Sequence, residues 1–421
     1  MSKERSFGRQ SGPTRFDPIL LGDDPSYFDT LERDAKKVDS IDWIVVPQGR
    51  SAESIDHAAY LGRDIGARVI SLCSHDADIE KVAERFEKLR VPEWAAIDIP
   101  PGYTIPGIEL IADQAIPTQA QKDPSWNLSD KRNVAIIMAL LSDAERIFFH
   151  DDDLYILAEA LGKVGTMLFQ REIAGLRCGS FPDRSAIMHA RRIIADYHMS
   201  RRPLPIQRDA LTSGNSMGVD IRRMRRHFPR GIYNEDWIAQ YDAVVRKKAA
   251  VVDDYYHQTV YNPLTPKRAQ QEEFGDILIT GLFQGIDLAR KDPSAQPHLK
   301  DRFYWEKIIE VRREQALSLL DATEIYPDKR YHRFTSNPKN WQPMPYAAQE
   351  ELRGSLLAGL DVNVTLEGVN FVDYLSALNT HDNVQWADML NKISHYPIPF
   401  SDVCARVGLE RYLTNISPGT I

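Results

Sequence analysis

The sequence predicts an α/β protein: a doubly wound, mostly parallel sheet to about residue 260, followed by a mainly helical C-terminal extension. Three observations carry that expectation. From residue 42 onwards, short apolar runs alternate with amphipathic segments, the pattern of strands and helices joined by right-handed crossovers. The apolar runs end in polar loops, the edge at which open parallel sheets bind ligands. From about residue 265 the pattern changes to long amphipathic helices.

The elements follow in order. Residues 1–40 are mixed and charged and read as an arm with one short helix around Tyr27–Val38. Trp43–Val46 is the first strand, ended by Pro47-Gln48-Gly49-Arg50. A helix over Ala52–Ile65 follows, with Gly66 where a helix stop belongs. Arg68–Cys73 reads as a second strand, Ile79–Lys88 as a helix and Ala95–Ile99 as a third strand. Residues 100–128, rich in Pro and Gln, form a long loop. Asn127-Leu128-Ser129-Asp130 offers caps for a helix through Ser142, which feeds the apolar strand Arg146–Phe149. A helix over Leu154–Phe169 comes next. The middle third carries a basic stretch, Arg191–Arg226, a turn at Thr212–Ser216, a Tyr233–Trp237 segment and a strand over Ala249–Tyr256. Helices over Pro266–Ala289, Arg302–Ala322, Pro345–Leu360, Asn370–Leu378 and near Val384–Ile393 complete the chain. The division is thus an arm (1–40), a catalytic domain (41–262) and a helical region (263–421) that forms a homodimer interface or covers the sheet.

Composition narrows the function. The chain has 421 residues, enough for two domains, with 43% hydrophobic and 27% charged residues, as in soluble globular proteins. The 52 Lys and Arg against 60 Asp and Glu give a net charge of −8, which argues against nucleic-acid binding. Cys73, Cys178 and Cys404 lie far apart and support neither a disulfide framework nor a zinc site. The polar N-terminus and the lack of an apolar run near the ~20 residues that span a bilayer point to the cytoplasm and to no transmembrane segment.

The sharpest chemical feature is Phe148-Phe149-His150-Asp151-Asp152-Asp153. On an extended segment Asp151 and Asp153 point the same way, at the carboxyl end of a buried strand. Two carboxylates there suit a hard divalent cation that keeps positions open for phosphate oxygens. The plainer reading makes Asp153 the cap of the helix that follows. Lys131-Arg132-Asn133 at a helix start offers a phosphate or sugar contact, or a solvated first turn. Pro47–Arg50 and Ser74-His75-Asp76 place polar groups at two adjacent strand ends. Ser213-Gly214-Asn215 forms a small-residue loop that lets backbone approach a ligand. Glu235 and Asp236 supply carboxylates for acceptor hydroxyls or for proton removal, or serve as a solvated cap. His257, after a strand, is structural or a partner for carboxylates around a metal.

Taken together, these residues resemble the nucleotide-sugar glycosyltransferases of the Rossmann-like GT-A type over roughly residues 42–260. The layout is also similar to the glucosyl- and mannosyl-3-phosphoglycerate synthases. The elements that match are Val46–Arg50, Asp76, the Arg132-Asn133 pair, Asp151–Asp153, Gly214–Met217 and Glu235-Asp236-Trp237. The resemblance implies a UDP- or GDP-type sugar donor held by Pro47, Gln48, Gly49, Arg50, Asp76, Lys131, Arg132, Asn133, Asp151 and Asp152. It implies Mn²⁺ or Mg²⁺ on Asp151, Asp153 and His257, a small, anionic acceptor at Ser213, Gly214 and Asn215, and catalysis at Glu235 and Asp236. Ser-His-Asp replaces the more usual acidic loop after the second strand. Competing readings are a nucleotidyltransferase acting on sugar phosphates, which would open with a glycine-rich loop, a HAD-like phosphatase, which also uses an apolar strand ending in D-x-D, and a non-enzymatic scaffold.

Overall fold

A computed structural model describes residues 29–31, 41–123, 126–142, 144–178, 185, 187, 212–259, 262–291, 299–325, 330–331, 342–343, 346–393 and 397–416. The strands of the main sheet are β1 (Asp29–Leu31), β2 (Trp43–Val46), β3 (Arg68–Cys73), β4 (Trp94–Asp98), β5 (Arg146–His150), β6 (Leu154–Ile156), β7 (Ile173–Cys178), β8 (Ser216–Asp220), β9 (Ala249–Gln258) and β10 (Leu413–Ile416). The helices are α1 (Asp56–Ile65), α2 (Ile79–Leu89), α3 (Leu128–Leu141), α4 (Ala158–Leu168), α5 (Glu235–Val245), α6 (Pro266–Lys291), α7 (Arg302–Ile325), α8 (Tyr346–Asn363), α9 (Gly368–Ala377), α10 (Asn383–Lys392) and α11 (Phe400–Arg406).

The strands line up as β1-β9-β7-β8-β5-β2-β3-β4-β10, with β6 beside the far end of β9. β8, β6 and β10 run against their neighbours and the other seven strands run one way, so the α/β class with a mostly parallel sheet holds. Alternation along each strand builds the two layers. Trp43 and Val45 of β2 face one core with α3, α5 and the C-terminal helices; Ile44 and Val46 face the other with α1, α2 and α4. The first core runs without a break from Phe149 through Phe274 and Trp305 to Phe371 and Trp386. The helical C-terminal part therefore shares its core with the sheet, and its last strand, β10, closes the far edge on β4. No helix among the described residues is long and apolar enough to cross a membrane.

Local chemistry explains the boundaries. α1 stops at Gly66, which takes the left-handed conformation at φ 74°. α2 starts on Asp78, whose carboxylate accepts from the amides of Glu80 and Lys81. Three expectations change. Leu154–Ile156 forms strand β6 rather than the start of a helix, because Leu154 and Ile156 are buried while Tyr155 is exposed, a period-2 pattern. α4 begins only at Ala158 with Leu157 before it, so Asp153 caps no helix. Asp29–Leu31 is a strand parallel to β9, where a helix was expected; the rest of Tyr27–Val38 lies outside the described residues. The two-residue ladder Arg330–Tyr331 with Gln342–Pro343 stands apart from the main sheet. Much of the basic stretch, 191–211, also lies outside the described residues. Its described end is balanced: Arg222, Arg223 and Arg226 pair with Glu145, Asp220 and Asp242.

Candidate active site

β2 and β5 are parallel neighbours, so their carboxyl ends deliver Pro47–Arg50 and Asp151–Asp153 to one place. The acidic run leaves the extended conformation at once: the Leu154 amide donates to the Asp151 carbonyl at 3.3 Å, closing a turn. The side chains of Asp151 and Asp153 accordingly meet different partners. Asp152 Oδ2 accepts from the amides of Gly49 at 2.8 Å and Arg50 at 2.9 Å, and Oδ1 accepts from Arg50 Nη1 at 2.9 Å. Asp153 Oδ2 accepts from Arg50 Nη2 at 3.1 Å and from Gln258 Nε2 at 3.3 Å. Asp152 thus ties the two strand-end loops together.

Arg132, the fifth residue of α3, is the centre of the site. Its guanidinium is 2% exposed, and a buried charge of that kind requires partners. Nη1 donates to Glu235 Oε1 at 2.9 Å and Nη2 to Asp151 Oδ1 at 3.2 Å. The rings of Phe149 and Phe228 flank it at 6.0 and 5.6 Å. Beside it, Lys131 Nζ donates to the Gln48 carbonyl at 2.6 Å. Burial lowers Lys131 to about 8, against the pull of the surrounding carboxylates. Burial likewise raises Asp151 to about 7; Arg132 opposes that shift, and Asp153 and Asp152 add to it.

The loop before β8 completes the cluster. The Asp151 amide donates to the Asn215 carbonyl at 3.0 Å, and the Gly214 amide donates to Asp236 Oδ2 at 2.5 Å. Gly214 is required by space: a Cβ there would lie 2.6 Å from Asp236 Cβ and 2.7 Å from Arg132 Nη1. Ser213 accepts from the Ser216 amide in the same turn. Burial, then the adjacent Glu235, pushes Asp236 up to about 6. The five features singled out in the sequence, Pro47–Arg50, Lys131-Arg132, Asp151–Asp153, Ser213–Asn215 and Glu235-Asp236, therefore meet through direct contacts.

Other expected residues face elsewhere. The Asn133 amide exchanges two hydrogen bonds with the Phe228 backbone, 2.7 and 2.8 Å, and is spent on holding that loop. The Gln48 side chain binds Ser71, Ser51 and Ser54 and is buried, so only its carbonyl serves the site. Asp76 is exposed and joins the site by its amide, which donates to the Gly49 carbonyl at 3.1 Å. His257 is exposed on β9, and its neighbour Gln258 reaches Asp153 instead, so the expected His257 ligand is not brought to the carboxylates. Among the described residues no three His, Cys, Asp or Glu side chains are set to hold a metal. The donor chemistry still fits a hard divalent cation, which binds through one or two carboxylates and fills its shell with water and phosphate oxygens. Asp151 and Asp153 each keep one carboxylate oxygen with no recorded donor among the described residues.

Residues passed over in the sequence include Gln258 and the His57–His150 pair, whose rings lie 5.4 Å apart beneath the acidic turn. Burial lowers His150 to about 3, so it is neutral there. Gln258 was legible: alternation from the buried Tyr256 puts position 258, not 257, on the inner side.

No protein-family model and no curated protein matches the chain. Three solved structures of glucosyl-3-phosphoglycerate synthase from Mycobacterium tuberculosis are similar at 12% identity. One, in complex with phosphoglyceric acid, has a TM-score of 0.34 and a match covering 60% of this chain and 86% of that one. The other two are complexes with Mn²⁺, uridine-diphosphate-glucose and phosphoglyceric acid, with TM-scores of 0.33 and 0.32. Their matches cover 61% and 57% of this chain and 86% and 85% of those chains.

Proposed function

We propose that the chain is a glycosyltransferase that moves a sugar from a UDP- or GDP-type nucleoside-diphosphate sugar to a small hydroxyl acceptor. The observation that supports this best is the buried Arg132 bridge. It joins Asp151 of the donor-side acidic turn to Glu235 of the acceptor side at the carboxyl edge of the sheet. A donor diphosphate would lie between the Pro47–Arg50 loop and the start of α3, with Lys131 and Arg50 meeting its charge. Asp151 and Asp153 would hold Mg²⁺ or Mn²⁺, which supplies electrostatic relief for the departing diphosphate.

The carboxylates divide their work. Glu235 is the counter-ion of Arg132, whereas Asp236 accepts from backbone amides, that of Gly214 among them, and sits near 6, suited to a general base at neutral pH. The acceptor hydroxyl oxygen forms a bond to the anomeric carbon, its proton passes to Asp236, and the sugar–diphosphate bond breaks with its electron pair on the leaving oxygen. Attack from the opposite face inverts the anomeric centre. The Gly214 loop holds the acceptor, and its amide orients Asp236.

The test is release of nucleoside diphosphate from a panel of sugar nucleotides with Mn²⁺ or Mg²⁺ and hydroxyl acceptors, for the wild type and Asp153→Ala. Turnover that the variant loses while its fold is retained is the expected result. Equal turnover in both would remove the acidic turn from the reaction.

A further inference from the structure

The C-terminal helices reach the site through buried polar contacts that the reaction does not use directly. Arg312 of α7, its side chain 9% exposed, donates to Glu273 Oε2 at 3.0 Å and to Asp276 Oδ2 at 2.5 Å, both on α6. Asn363, the last residue of α8, donates to the same Glu273 at 3.0 Å. The other oxygen of Asp276, Oδ1, accepts from Asn234 Nδ2 at 3.0 Å.

Asn234 immediately precedes Glu235 and Asp236. It holds the left-handed conformation, φ 63°, and its side chain does not cap α5 but turns to α6. A non-glycine residue there persists when its surroundings hold it. α6 also presses on the same loop at Gly275, where a Cβ would lie 2.2 Å from the Tyr233 carbonyl oxygen. Two ties, one of side chains and one of backbone, therefore fix the peptide that enters α5. The next two side chains are those bound to Arg132 and to the Gly214 amide.

We infer that Asn234 and Asp276 are positioning residues, with Arg312 as the counter-ion that anchors Asp276, so that the C-terminal helices aim the Glu235–Asp236 pair. The functional consequence rests on the proposed transfer reaction; the structural one rests on these contacts alone. A purely structural network would need only Glu273, Arg312 and Asn363 to join α6, α7 and α8, and Asn234 adds nothing to that packing.

Asn234→Gly separates the two. Glycine takes the left-handed conformation without strain, so the amide contact is lost with the folded backbone kept, while the peptide also gains freedom; the reversed pair Asn234→Asp with Asp276→Asn separates the contact from that freedom. With the full chain, the expected result is unchanged nucleoside-diphosphate affinity and a kcat lower by about 10- to 100-fold, the scale of a small misplacement of catalytic groups. The Gly214 amide, which donates to Asp236, then exchanges faster with deuterated water. Asn234→Asp alone sets two carboxylates together; adding Asp276→Asn restores the contact in reverse, with the amide at 276 donating, and raises kcat above that of either single variant, Asp276→Asn alone carrying the same loss of charge beside Arg312. Wild-type kcat and wild-type Gly214 exchange in Asn234→Gly, or a double variant no more active than either single variant, overturns the inference. If the wild type neither binds nor turns over sugar nucleotides, the reaction is wrong, and the exchange measurement still decides the positioning.

Discussion

Replacing Gly214 with alanine adds one methyl group at the tightest point of the site. Its Cβ would stand 2.6 Å from Asp236 Cβ, 2.7 Å from Arg132 Nη1 and 3.0 Å from Arg132 Cζ. Carbon atoms settle about 3.5–4.0 Å apart, so the shortfall is on the order of 1 Å. Arg132 cannot retreat, being held between the Phe149 and Phe228 rings and tied to Asp151 and Glu235. The Asp236 carboxylate and the 213–215 loop must move instead, breaking the 2.5 Å bond from the Gly214 amide. Overpacking of this kind costs about 1–3 kcal/mol, and a displacement near 1 Å costs about 100-fold in rate. Urea unfolding and initial rates of nucleoside-diphosphate release measure the two effects. Gly354→Ala, on α8 and outside the site, is the control, since its Cβ would meet only Pro266 Cγ at an ordinary 3.8 Å. A Gly214→Ala protein with wild-type rate and stability would refute the packing argument.

Two pH effects follow. With Asp236 near 6 as the base, kcat/KM rises with pH through about 6 and then levels, and Asp236→Asn removes both the activity and that limb. The same group affects stability with a definite sign. Its folded pKa lies above the unfolded carboxylate value near 3.9, so its contribution is fully present below that value and is lost as pH rises through about 6; the stability of the wild type relative to Asp236→Asn should fall over this window, and a relative stability that rises would contradict the assignment. Lys131 titrates near 8, and an adjacent diphosphate favours its charged form, so binding near pH 8 takes up protons. Calorimetry in buffers of different ionisation enthalpy reads that uptake, which Lys131→Met should abolish; no uptake in the wild type would move the diphosphate away from Lys131.

The parts of the fold legible in the sequence are those whose signals are local. Trp43–Val46 and Arg68–Cys73 are buried on both faces, so their apolar runs are continuous, and Gly66 marks a stop by its own conformation. β8 was hidden because Ser216-Met217-Gly218-Val219-Asp220 has little strand character; pairing with β5 and β7 makes it a strand. β6 is too short for its alternation to outweigh the helix that follows. At the site, residue types and their order along the chain were readable, and so was the loop that needs glycine. The Arg132–Glu235 pair was not, since it joins residues 103 apart on two different helices. The turn at Asp152–Asp153 also escaped, because extended-strand periodicity stops applying where the strand ends.

The most direct test of nucleotide-sugar chemistry at the acidic turn is the melting temperature of the full chain with UDP, GDP, ADP and CMP, each with and without Mn²⁺. A ligand that binds only the folded state raises that temperature by mass action. UDP or GDP should raise it, more strongly with Mn²⁺, and Asp153→Ala should remove the metal-dependent part. No shift with any nucleotide, with or without the metal, would contradict the proposed function.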